Sequence, residues 1–180
     1  MTRMRHAQAA KEGLAMMELE EHVQESQAKR FFELAYALQM AGDYEEAIAL
    51  YKRSVELSPT AKGYTFLGWA LSFVGQYELA IEECKRAIEL DPTYGNSWND
   101  LGAYLIELGR YDEAVPFLEE ALKSRRYENF CYPYFNLHRV FLSKGMLMRA
   151  REMLQRALEA NPNYQPARNA GGRQATAVRK

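Results

Sequence analysis

Residues 63–92, GYTFLGWALSFVGQYELAIEECKRAIELDP, carry two helical patterns around one turn. Tyr64, Leu67, Gly68 and Leu71 fall at i, i+3, i+4 and i+7, which places them on one helical stripe. Gly75 ends that pattern, because glycine tolerates the left-handed conformation at a helix C-terminus. Ala80, Ile81, Cys84, Ala87 and Ile88 form a second stripe, and Asp91-Pro92 stops it, since proline cannot continue the hydrogen-bond ladder. The same order of residues recurs on both sides. Upstream it reads Phe31, Leu34, Ala35, Leu38, Gly42, Tyr44, Ala47, Tyr51, Pro59. Downstream it reads Trp98, Leu101, Gly102, Leu105, Gly109, Tyr111, Ala114, Leu118, Ala121, then Tyr134, Leu137, Phe141, Gly145, Ala150, Leu154, Ala157, Pro162. A fixed period of this length predicts stacked repeats, with function on a surface that several repeats build together.

The repeated positions alternate in size. Ala35, Gly68 and Gly102 are small residues inside helical patterns, where glycine costs about 1 kcal/mol relative to alanine. Ala47, Ala80, Ala114 and Ala150 mark a second close approach. Phe31, Tyr64, Trp98 and Tyr134 fill the space between helices.

This pattern of large residue, Leu, small residue, aromatic, two Ala-type positions and a terminal Pro resembles the tetratricopeptide repeat family over most of the chain, from Ala28 to Pro162. The resemblance implies an all-α, right-handed α-solenoid (a superhelix) of about four helix-turn-helix repeats, at about 28–60, 61–94, 95–130 and 131–162. It also implies a concave groove, lined by first helices, that binds peptides or partner proteins. The third copy lacks its terminal Pro and has SRRYENF at residues 124–130 instead, which predicts a lengthened turn before Pro133. Pro116 should weaken one helical hydrogen bond. His138 stands where a small residue is expected.

The two ends depart from the repeat. Residues 1–27 predict a helix after a short flexible start, with Met16, Leu19 and Val23 on one stripe. Its expected role is a cap over the first repeat, because a terminal repeat has one face without a neighbour. The alternative is an internal ligand lying in the groove. Residues 163–180 begin a fifth copy, but Gly171 and Gly172 fall where Leu and a small residue belong. A partial helix and a disordered tail are expected there, leaving Met153, Leu154 and Leu158 as an open apolar face for self-association.

Bulk composition excludes several function classes. The chain has 180 residues, 23 Lys+Arg against 24 Asp+Glu, and 48% hydrophobic residues. That predicts a folded chain with no charge-based reason to bind nucleic acid or an anionic membrane. There is no secretory leader pattern and no long uncharged apolar run, so cytoplasm is the expected location and no membrane is expected. Cys84 and Cys131 are expected as free thiols in a reducing compartment. His6, His22 and His138 lack partners at triad or metal-ligand spacing. The pairs Glu45-Glu46, Glu82-Glu83 and Glu119-Glu120 recur at equivalent helix positions, which predicts solvated faces. No catalytic residue, metal site or cofactor is expected.

Carrying the family's groove positions onto this sequence nominates Lys29, Phe32 and Tyr36 from the first copy, and Lys62, Trp69 and Phe73 from the second. The third copy contributes Asn96 and Asn99; the fourth contributes Tyr132, Phe135 and Arg139. The subfamily that clamps EEVD-type chaperone tails uses Lys, Asn, Asn, Lys and Arg. The matching positions here hold Phe32, Tyr36, Phe66, Asn96 and Asp100, so a terminal carboxylate would meet aromatics and a negative charge. The expectation is a non-catalytic adaptor for a protein or peptide partner, an apolar or amphipathic segment with some acidic character, and not a chaperone tail. The alternative is a homo-oligomeric scaffold assembled through the C-terminal end.

Overall fold

The computed structural model describes the backbone of residues 2–127 and 129–177, and side chains from residue 13 to residue 172 apart from Glu128. The side chain of His6 and residues 178–180 of the predicted tail lie outside the described residues. Among the described residues nine helices follow in order: α1 (Thr2–Ala41), α2 (Tyr44–Leu57), α3 (Ala61–Phe73), α4 (Tyr77–Leu90), α5 (Gly95–Glu107), α6 (Tyr111–Lys123), α7 (Cys131–Ser143), α8 (Leu147–Ala160) and α9 (Gln165–Ala177). There is no strand among the described residues. Helices pack as the pairs α1–α2, α3–α4, α5–α6 and α7–α8, and each pair stacks on the next. First helices also touch one another, α3 with α5 and α5 with α7, forming one wall. This is the α-solenoid of helix-turn-helix repeats that the sequence predicts.

Each pair turns at a glycine with positive φ: Gly42 at 94°, Gly75 at 75°, Gly109 at 73° and Gly145 at 70°. Only glycine enters that region without strain. The small residues do what their spacing predicts. A Cβ on Gly68 would lie 3.0 Å from the carbonyl oxygen of Ala80, and one on Gly102 would lie 2.6 Å from Leu118 Cδ2. Ala35, Ala47, Ala80, Ala114 and Ala150 are fully buried in a core that runs continuously through the four repeats.

His138 resolves the exception at the small position. It is buried, and its Nδ1 donates to the carbonyl oxygen of Ala150 at 2.8 Å, so a polar bridge joins α7 to α8 where smaller residues join the other pairs. The lengthened turn is also built. Tyr127 is buried against Gly95, Arg126 N donates to Thr93 O at 3.3 Å, and Arg126 pairs with Asp91.

Three expectations about the ends are corrected. Residues 2–27 are neither a separate cap nor an internal ligand. They continue α1, and every described side chain from 13 to 27 is exposed. No helix breaker separates residue 27 from residue 28, so helical propagation simply runs on. At the other end, Gly171 and Gly172 do not stop the chain, because α9 carries on to Ala177. The last repeat is covered: Ala167 of α9 is buried with Leu154 and Ala157, and Tyr134, Phe135, Leu158 and Tyr164 pack around them. The apolar face expected to drive self-association is therefore occupied by the chain's own helix.

Candidate partner-binding face

The wall of first helices divides into two halves. In the N-terminal half, aromatic rings meet edge to face across α1 and α3. Phe66 lies 5.1 Å from Phe32, 5.9 Å from Tyr36 and 5.7 Å from Trp69, centroid to centroid. Trp69 continues to Phe73 at 5.6 Å, and Phe73 stacks on Tyr44 at 4.6 Å. Tyr36 and Phe73 remain 43% and 48% exposed, a large solvent share for rings already packed on one side. Phe32 and Trp69 are half-buried. The Lys62 ammonium hangs 4.9 Å from the Phe32 ring centroid and 5.7 Å from that of Phe66, within cation–π range. Lys29 reaches Glu33 at 3.9 Å.

The C-terminal half carries a chain of polar side chains bonded to one another. Arg139 Nη2 donates to Glu107 at 2.6 Å and its Nη1 to Asn136 Oδ1 at 3.5 Å. Asn136 Nδ2 donates to Asn99 Oδ1 at 3.1 Å, and Asn99 Nδ2 donates to Asp100 Oδ1 at 3.1 Å. Thr65 and Ser97 hydroxyls meet at 2.7 Å between α3 and α5. Asn99 is therefore buried and engaged, and Asn96 is half-buried. Burial lifts the Asp100 carboxyl to about 6, against the opposing hydrogen bond from Asn99. At the far end Tyr132 and Phe135 pack edge to face on Tyr164, at 5.2 and 5.4 Å, with Tyr132 still exposed.

The structure thus gathers Phe32, Tyr36, Lys62, Trp69 and Phe73 into one strip and sets Asn99 and Arg139 in a separate polar chain. It adds Phe66, which ties the aromatic strip together, and Tyr44. The signal for Phe66 lay one residue before Leu67, at a position that holds Glu33, Asp100 and Asn136 in the other copies. The glutamate pairs lie on second helices and are largely exposed, except Glu83, whose side chain is only 12% exposed. Glu82 pairs with Lys85 at 2.8 Å, Glu83 with Arg86 at 3.1 Å, and Glu120 with Lys123 at 2.7 Å. Cys84 is free and buried, and burial raises its thiol pKa, which suits packing rather than chemistry. Among the described residues no His, Cys, Asp and Glu side chains gather in threes as a metal site would need. Nor is any helix long and apolar enough to cross a membrane.

Three sequence models of the tetratricopeptide repeat match residues 28–61, 61–94 and 83–115. The chain is a tetratricopeptide repeat protein. No curated protein sequence matches it. Solved structures of this architecture do. One, from the functional characterization of Pseudomonas aeruginosa pilF, is 24% identical with a TM-score of 0.74, over 80% of this chain and 65% of that one. PilW, described as a widely conserved type IV pilus biogenesis factor, is 21% identical with a TM-score of 0.73, over 78% and 64%. YrrB, described as having an unusual peptide-binding site, is 19% identical with a TM-score of 0.67, over 95% and 88%. These likenesses establish the fold. This tetratricopeptide repeat protein spans less than two thirds of the pilF and PilW chains.

Proposed function

We propose that this protein is a non-catalytic adaptor that holds a protein segment in a groove along the first-helix wall. Tetratricopeptide repeats are protein-interaction modules, and that general role is the one the family supports here. The observation that carries the finer reading is the half-exposed strip Tyr36–Phe66–Trp69–Phe73 beneath the Lys62 ammonium. Aromatic rings pre-packed on one side lose little freedom on binding and make strong interface anchors. The strip suits an apolar or amphipathic segment carrying some acidic residues. A chaperone-type carboxylate tail suits it poorly, because Asp100 stands where that subfamily has an arginine. The free, buried thiols Cys84 and Cys131 fit a reducing compartment, the cytoplasm by default.

Selection of displayed peptides on the immobilised protein tests this reading. Peptides enriched in apolar and acidic residues should emerge, and their binding should fall about tenfold or more on Tyr36→Ala or Trp69→Ala. Enrichment that ignores both substitutions, or no enrichment at all, would overturn it.

A further inference from the structure

We infer that residues 13–27 of α1 dock against the first-helix wall of a second copy of the chain. The inference rests on the groove reading above and names its occupant. Leu14, Met16, Met17, Leu19 and Val23 are all 47% to 67% exposed, on a helix segment whose every described side chain is exposed. A lone helical segment of this length is marginal in water and draws its stability from packing an apolar face. Met16, Leu19 and Val23 form such a face at i, i+3 and i+7. Glu20 borders that face, whereas Glu18, Glu21 and Glu25 lie on the opposite side, and none of the four makes an ion pair among the described residues.

The wall complements this segment. Its aromatic half exposes Tyr36 and Phe73. Lys29 there is offset by Glu33, whereas Lys62 makes no ion pair among the described residues and lies over the Phe32 ring. A helix that sets Met16, Leu19 and Val23 on the rings brings Glu20, at the border of that face, toward Lys62. The segment is roughly 22 Å long at 1.5 Å per residue, close to the span of three first helices about 9–10 Å apart. It cannot reach its own wall, because the same uninterrupted helix supplies that wall's first element through Ala41. The occupant of one wall is therefore the α1 extension of another copy. That contact is heterologous, closing as a reciprocal dimer or continuing head to tail.

Sedimentation velocity on the full chain over a wide concentration range provides the test. The wild type should self-associate. A Met16→Glu, Leu19→Glu variant and a Trp69→Ala variant should each be monomeric, and mixing the two should restore a heterodimer, since one retains the wall and the other the helix. Lys62→Glu, on an exposed side chain, serves as the wall variant should Trp69→Ala fail to fold. A monomeric wild type overturns the inference. So does assembly that survives the helix substitutions, or assembly that survives the wall substitutions, which would mean helix-to-helix pairing. If the chain is monomeric yet still selects peptides through Trp69, self-docking alone falls; if peptide selection fails too, the groove reading falls with it.

Discussion

Gly95, at the start of α5, and Tyr127, in the long turn after α6, occupy almost the same space. A Cβ on Gly95 would lie 2.4 Å from Tyr127 Cβ and 2.7 Å from its Cγ. The missing side chain of one residue leaves room for the side chain of the other. Gly95→Ala should therefore overpack the turn and cost about 1–3 kcal/mol. Tyr127→Gly opens a cavity and should cost at least as much. The double variant should be clearly less destabilised than the sum, because removing the whole side chain, Cβ included, makes room for the methyl. Denaturation midpoints of the four proteins check this, and additivity would refute the packing.

Gly102 and Gly13 are both helical glycines, with opposite expected responses. A Cβ on Gly102 meets Leu118 at 2.6 Å, whereas one on Gly13 meets nothing within 4 Å. Gly102→Ala should lower the unfolding midpoint despite alanine's better helix propensity. Gly13→Ala should stabilise the α1 extension by about 1 kcal/mol and leave the repeat midpoint unchanged. Far-UV circular dichroism for Gly13→Ala and thermal denaturation for Gly102→Ala distinguish them.

What the sequence made legible follows the same physics. Leu67, Gly68, Ala80 and Cys84 were readable because their partners lie within one repeat and recur at fixed spacing. Asn99 and Asn136, Thr65 and Ser97, and Arg139 and Glu107 lie 32 to 37 residues apart and meet only once neighbouring repeats stack. No single-repeat pattern announces them, and the family's groove positions nominate Asn99, which the stack buries. The ends differ for another reason. Repeat register marks a boundary at residue 28, but no Gly or Pro interrupts the helix there. Gly171 and Gly172 predict a stop, but burial of Ala167 anchors α9 against α8.

Tyr51 Oη donates to Gln39 Oε1 at 2.9 Å, inside the first repeat, while Gln39 Nε2 is buried without a partner. Tyr51→Phe leaves the whole Gln39 amide unsatisfied and should cost about 1–3 kcal/mol. Gln39→Leu on that background removes the stranded amide and should recover much of the loss. Equilibrium unfolding of both variants reads the sequence of loss and recovery, and a further loss in the double variant would disprove it.

Asp100 sets a pH dependence of definite sign. Burial raises its carboxyl to about 6 in the folded protein, against about 3.9 for an ordinary aspartate. The folded chain thus holds a proton there that the unfolded chain has released, so Asp100 favours folding below pH about 4 and loses that contribution as pH rises to about 6. Glu83 is also raised by burial, while hydrogen bonds lower Asp91 and Glu113, so whole-protein stability mixes both signs. The difference between wild type and Asp100→Asn isolates the one group. Asparagine can still accept from Asn99 Nδ2, which keeps the polar chain across α5 and α7 intact. Relative to wild type, Asp100→Asn should gain on the order of 1–2 kcal/mol between pH 4 and pH 7, with most of the change below pH 6. Denaturant titrations at a series of pH values provide the curve. A flat difference, or one of opposite slope, would show that Asp100 is solvated and that the wall's polar half is open to water.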